Sequence, residues 1–224
     1  NPRRAASIVA SEFYGHPSKH LTVIGITGTN GKTTTATILK SILNQDGKKV
    51  AQIGTLGVIA NGLEHLDTLT TPDPITLHKL FSKLNDEGFS HVVMEVSSHA
   101  LDQYRVADVE FNIAVFTNLA PEHLDYHGTM ESYYKAKLRL FTMLSIDATA
   151  VVNISDSFGK RILKKSSAPV ITFSNIGENS VFFQSKIISI TGITGKIIAG
   201  HDSYSIKSKL TGDLNCENIL AAVS

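Results

Sequence analysis

The segment Val23-Ile-Gly-Ile-Thr-Gly-Thr-Asn-Gly-Lys-Thr-Thr34 constrains this chain more than any other. An apolar run ends in Gly28-Thr29-Asn30-Gly31, and Lys32-Thr33-Thr34 then opens a helical pattern. Small residues let backbone N–H groups turn inward around phosphate oxygens, and the amino end of a helix adds a favourable dipole. In such a loop Lys32 would reach the β- and γ-phosphates, and the Thr33 hydroxyl would bind Mg2+. The usual spacing G-x-x-x-x-G-K-[ST] would put its first glycine on Ile26, so this loop is a variant with Gly25 and Gly28 on either side. The plain alternative is a chance glycine-rich turn. Strand, loop, lysine, hydroxyl and helix agree, which favours nucleoside triphosphate binding.

Around this loop, short apolar runs alternate with helical patterns. Strands are expected at 21–27, 49–55, 91–96, 112–118, 149–154 and 170–173, with helices at 32–45, 75–87, 129–144 and 155–165. In the second helix Leu77, Leu80, Phe81 and Leu84 follow the i, i+3, i+4, i+7 spacing of one buried face, and Gly88 closes it. Continuous apolar strands separated by helices predict an α/β fold, a mostly parallel P-loop sheet with helices on both faces. From about 180 to 210, β-branched and polar residues alternate between glycines, the pattern of a small antiparallel β meander near the C-terminus.

Length and composition narrow the function. At 224 residues the chain fits one large domain with an appendage, here a lead-in helix or linker at 1–20 and a domain at 21–224. A net charge of +1 leaves no broad electrostatic footprint for nucleic acid or a membrane. The single cysteine, Cys216, rules out an internal disulfide. No apolar run approaches the ~18 residues of a span, and Asn1-Pro-Arg-Arg-Ala-Ala-Ser lacks the apolar core of a signal peptide. A soluble, cytoplasmic, monomeric protein is expected. The absent initiator methionine and a last helix, from Cys216, that stops without a capping signal read as a piece of a longer protein.

Three further features carry chemistry. Glu95 ends the apolar run His91-Val-Val-Met, at the sheet edge where ligands of open α/β folds bind. It is either an exposed strand-end acid or the second metal holder that a P-loop requires. Glu122, His123, Asp125 and His127 crowd six positions of one loop, as candidate cation or phosphate ligands or as ordinary loop polarity. Lys137 sits inside an apolar helical stripe of Met130, Tyr133, Leu140, Phe141 and Leu144. Either it snorkels to the surface or it is buried with a lowered pKa, where a neutral amine can react with carbon dioxide to form a metal-binding carbamate.

Together these segments resemble the Mur ligases, the ATP-dependent amide ligases of peptidoglycan precursor synthesis, and within them the MurE type. The matching pieces are Gly28-Thr-Asn-Gly-Lys-Thr-Thr34, Leu69-Thr-Thr-Pro-Asp-Pro74, Met94-Glu-Val-Ser-Ser-His99, and Asn118-Leu-Ala-Pro-Glu-His-Leu-Asp-Tyr-His-Gly128. Tyr134-Lys-Ala-Lys-Leu-Arg-Leu-Phe141 and Gly212-Asp-Leu-Asn-Cys-Glu-Asn-Ile-Leu-Ala-Ala222 complete the set. The resemblance implies a central ATPase domain, lacking an N-terminal uridine-nucleotide domain and a C-terminal domain that admits the amino acid. It implies that Gly28, Thr29, Asn30, Gly31, Lys32, Thr33 and Thr34 cradle ATP, with Asn218 on adenine and Asn215 nearby. Thr33 and Glu95 would hold one Mg2+, and His123 and a carbamoylated Lys137 a second. Thr70, Thr71, Ser97 and Arg105 would bind the acceptor, UDP-MurNAc-L-Ala-D-Glu, to which meso-diaminopimelate or L-lysine is joined through an acyl phosphate. Ala120 and Pro121 depart from the family's more polar residues, beside His123 but not at it.

Two rivals remain. A sister ligase such as folylpolyglutamate synthase would share the loop, but the Thr-Thr-Pro piece and Arg105 argue against it. A non-catalytic nucleotide-binding module would have no need of Lys32, Glu95, His123 and Lys137 together. A switch GTPase would need a guanine-reading Asn-Lys-x-Asp segment, which the sequence lacks.

Overall fold

Alternate residues of the first strand serve two cores, and this decides the layering. In β1 (Thr22–Thr27) Val23 enters one apolar cluster while Ile24 and Ile26 enter another. Such double burial requires helices on both faces. The computed structural model, which describes residues 1–175 and 180–224, has that arrangement. Helix α1 (Pro2–Phe13), capped by Asn1, leads through a 3-10 turn at Pro17–His20 into β1. Then come α2 (Lys32–Gln45), β2 (Val50–Gly54), β3 (Gly57–Ala60), α3 (Pro74–Asp86), β4 (His91–Glu95) and α4 (Ser98–Asp102). The second half holds β5 (Ile113–Phe116), α5 (Leu124–His127), α6 (Met130–Thr142), β6 (Thr149–Asn153), α7 (Ser157–Leu163) and β7 (Val170–Phe173). The chain continues through β8 (Val181–Ser189), β9 (Gly192–Ala199) and β10 (Asp202–Ser208) to α8 (Asp213–Val223).

One mixed sheet runs β10-β9-β8-β7-β6-β5-β1-β4-β2-β3. From β7 through β5, β1 and β4 to β2 every neighbour is parallel. The meander is not a separate unit, because the pair Phe173↔Val181 joins it to the parallel sheet. Leu77, Leu80, Phe81 and Leu84 are buried as the spacing predicts, and Gly88 takes φ +72° just beyond α3. The apolar pattern does not announce β3, α4 or α5. β3 is a four-residue antiparallel edge strand, and α4 and α5 are single short turns in polar segments. β2, β4, β5 and β6 stop one or two residues before the expected strands end, whereas β1 and β7 end where expected. Thr55, Val96 and Asn118 leave the ladder for the carboxyl edge, where the loops of β1, β2, β4 and β5 meet. Among the described residues no helix is long and apolar enough to cross a membrane.

Candidate active site

The loop after β1 is held open by glycine geometry and braced from β5. Gly31, at φ +86°, is the N-cap of α2, and a Cβ there would run into the Asn218 carboxamide. Gly28 has φ +154°, and a Cβ there would meet the Thr117 hydroxyl. The Thr29 N–H donates to Asn118 O and the Asn30 N–H to Asn118 Oδ1, both at 2.9 Å. Thr117 Oγ1 donates to Asn30 O at 2.6 Å. The Lys32 ammonium folds back over the loop, donating to Gly28 O at 3.0 Å and Thr29 O at 2.8 Å. Its burial lowers its pKa, against the pull of Glu95 and Glu122. Thr34, in the first turn of α2, is half-buried.

Glu95 is fully buried, and its register opposite Ile26 sets it beside the loop. Its carboxylate accepts from Thr33 Oγ1 at 2.8 Å, the Thr55 N–H at 3.0 Å and Thr55 Oγ1 at 3.2 Å. Gly54 makes room for it, since a Cβ there would occupy the carboxylate's own space. Hydroxyl and carboxylate oxygens at one point are the hard donors that Mg2+ prefers, so this part of the site fits that ion.

Lys137 does not snorkel. It is 1% exposed, and its Nζ donates to Gly28 O at 2.9 Å while lying 4.6 Å above the Tyr133 ring. Burial first, and then the neighbouring Lys32, push its pKa well below the usual lysine value, with Glu122 opposing. Lys135 on the same helix is exposed.

The polar loop after β5 spreads its four candidate side chains apart. His123 takes φ +55° before α5, and its ring lies 4.9 Å from that of His99 and 3.8 Å from the Glu122 carboxylate. His127 turns to Ser98 and Tyr133, and Asp125 is exposed. Among the described residues no three His, Cys, Asp or Glu side chains converge to hold a metal. The four-residue cluster is therefore not a self-contained cation site; spacing along a loop does not aim side chains at one point.

The remaining site residues split into two flanks. On one, Asn218 Nδ2 donates to Asn215 Oδ1 at 3.0 Å, and Thr35 Oγ1 donates to Asn218 Oδ1 at 3.5 Å. Beside them Asn153 Nδ2 bridges Thr117 O and Glu217, whose carboxyl pKa is raised by burial. On the other flank Thr71 Oγ1 donates to Glu95 O at 2.9 Å and accepts from the Ser97 N–H at 3.0 Å. Arg105 donates to Thr71 O at 2.9 Å and, from Nε and a terminal nitrogen, to Gln103 Oε1. Thr70 Oγ1 lies 3.3 Å from Thr55 Oγ1. Sequence reasoning missed Thr55, Gln103 and Tyr133. Only Gln103, two residues from Arg105, had a signal in its spacing.

These features define an open α/β sheet whose glycine-rich loop opens a helix beside a buried strand-end acid. A family profile described as the Mur ligase middle domain matches residues 26–224, and the chain belongs to that family. It is 40% identical over 228 residues to the UDP-N-acetylmuramoyl-L-alanyl-D-glutamate–2,6-diaminopimelate ligase of Geobacillus kaustophilus, covering 99% of this chain and 47% of that one. The solved structure of a ligase of the same name superposes at a TM-score of 0.87 with 27% identity, over 98% of this chain and 47% of the other. An ADP complex of Mycobacterium tuberculosis folylpolyglutamate synthase has a TM-score of 0.81 at 17% identity, covering all of this chain and 57% of that one, a likeness of fold alone. The chain spans about half the length of the curated relatives it matches.

Proposed function

We propose that this chain is the ATP-binding part of a MurE-type ligase. In this reading the whole protein joins a third amino acid to UDP-MurNAc-L-Ala-D-Glu in the cytoplasm. One observation carries the proposal: Lys32 and Lys137 converge on Gly28 O, beside the Glu95–Thr33 pair and within one hydrogen bond of the Thr71 hydroxyl. Two lysines suited to phosphate, oxygen donors suited to Mg2+ and candidate acceptor groups thus share one sheet edge.

The chemistry is phosphoryl transfer followed by acyl transfer. The acceptor's terminal carboxylate, held by Arg105, Ser97, Thr70 and Thr71, attacks the γ-phosphorus of ATP in line. The bond to the β,γ-bridging oxygen breaks, and ADP leaves. Lys32 swings from Gly28 O and Thr29 O onto the phosphates and neutralises charge on the transferring oxygens. The amine of the incoming residue then attacks the acyl phosphate carbon, phosphate departs, and the amine loses its proton as the amide forms. One Mg2+ held by Thr33 and Glu95, and a second held by His123 and a carbamate on Lys137, would supply further neutralisation of phosphate charge. That carbamate forms when the unprotonated amine bonds to the carbon of CO2 and releases a proton. Asn218, with Asn215, would face adenine.

The relatives' name supports diaminopimelate as the incoming residue. Mass spectrometry of the product made by the full-length parent protein tests the proposal. The expected mass is that of UDP-MurNAc-L-Ala-D-Glu plus diaminopimelate less one water. A product carrying L-lysine would change the amino acid, and glutamate added to folate would replace the function.

A further inference from the structure

Helix α6 holds the short helix α4 at its carboxyl end, and His127, just ahead of α6, meets its amino end. Arg139 donates to Leu101 O and Asp102 O, both at 3.1 Å, and its guanidinium lies 3.3 Å from the Asp102 carboxylate. At the amino end the Ser98 hydroxyl is hydrogen-bonded to His127 Nε2 at 2.9 Å. That imidazole stacks on Tyr133, with centroids 5.0 Å apart and planes 25° from parallel. The Tyr133 hydroxyl meets Thr29 Oγ1 at 3.2 Å, and Thr29 Oγ1 accepts the Ala120 N–H at 3.0 Å. A continuous chain therefore links Ser98, next to the candidate acceptor residue Ser97, to Thr29 in the phosphate loop. The reaction described above uses neither His127 nor Tyr133.

The two rings suit the transmission of position. Tyr133 is 1% exposed, and a packed planar side chain has few rotamers in which to absorb a displacement. Helix α4 has five residues and lies outside the sheet, so side-chain contacts such as these fix its place. The further links, Thr71 to Glu95 O and Thr70 through Thr55 to the Glu95 carboxylate and Thr33, run through Glu95 at the end of β4, which hydrogen-bond ladders to β1 and β2 hold on both sides.

We propose that His127 and Tyr133 are positioning residues that couple acceptor binding at Ser97 and Arg105 to the phosphate loop at Thr29, so that each ligand tightens the other. The proposal rests on the ligase function above. Binding linkage is reciprocal, so either ligand can report it.

The test is calorimetric titration of the full-length parent protein with the β,γ-methylene analogue of ATP and Mg2+, alone and with saturating UDP-MurNAc-L-Ala-D-Glu. The wild type should bind the analogue about fivefold or more tightly with the acceptor present. Tyr133→Phe keeps the ring and loses the Thr29 bond; His127→Phe keeps the stack and loses the Ser98 bond. Each should bring the affinity ratio close to one, with the melting temperature near wild type. Ser98→Ala should do the same from the other side of the bond. A wild-type ratio of one, or a full ratio retained in Tyr133→Phe, overturns the proposal. If the wild type binds the nucleotide but not the acceptor, the ligase function itself fails, and the coupling with it.

Discussion

Lys32 and Lys137 donate to one acceptor, the carbonyl oxygen of Gly28, at 3.0 and 2.9 Å. Burial, and then the neighbouring Lys32, push the Lys137 pKa well below the usual lysine value. That shift favours the neutral amine, the form that the carbamate proposed above requires, beside the loop proposed to hold the phosphates.

Lys137→Ala should therefore cost turnover far more than folding. The expected loss in kcat is about 10²–10³-fold, the scale for removing one preorganised charge-stabilising group. Added formate or acetate should restore part of it by standing in for the carbamate, and the wild type in 13C-labelled bicarbonate should give a carbamate carbon resonance that the variant lacks. Unchanged turnover in Lys137→Ala would count against the role.

Gly31→Ala places a β-carbon at φ +86° and against Asn218. Left-handed strain of roughly 1–2 kcal/mol, taken up when the loop must hold phosphates, predicts about tenfold weaker ATP binding. Adding Asn218→Ala should relieve the contact but not the backbone strain. The double variant should therefore not recover wild-type affinity in a calorimetric titration.

Asp73 lies inside the Thr-Thr-Pro-Asp-Pro piece, yet it is the N-cap of α3. Its carboxylate accepts from the Ile75 N–H at 3.0 Å, the Thr76 N–H at 3.1 Å and Thr76 Oγ1 at 2.6 Å. Asp73→Ala should lower stability by about 1 kcal/mol in urea denaturation. The KM for the acceptor should stay near wild type, whereas Thr71→Ala should raise it. A raised acceptor KM in Asp73→Ala at full stability would place Asp73 among the binding residues instead.

His78 is fully buried in α3, and among the described residues neither ring nitrogen has a hydrogen-bond partner. Burial lowers its pKa below the usual histidine value, with Asp108 pulling the other way. The unfolded chain therefore binds the proton more readily than the folded one. Stability is full above about pH 6.5 and falls as pH drops below it, by at most about 1.4 kcal/mol per pH unit from this group. His78→Leu should flatten that dependence in urea midpoints measured from pH 7.5 to 5.5. An unchanged slope would contradict the assignment.

Much of this was legible because the chemistry is local. The phosphate loop, the buried face of α3 and the acid ending β4 each follow from residues adjacent in sequence. Lys137 betrayed itself as a cation in an apolar stripe, although only the fold brings it to Gly28, 109 positions away. What stayed hidden depends on where loops turn. Nothing in the sequence shows that Thr55 would cover Glu95, that Tyr133 would reach Thr29, or that His127 would face Ser98 rather than join His123. Edge strand β3 and helix α4 are too short to leave a periodic trace.

The most direct measurement is phosphate release from ATP by the full-length parent protein under a full set of substrate omissions. Release should require UDP-MurNAc-L-Ala-D-Glu together with diaminopimelate, fall to background when either is left out, and be lost in Lys32→Ala. Release that needs folate and glutamate instead, or none with any acceptor and amino acid, would contradict the ligase assignment.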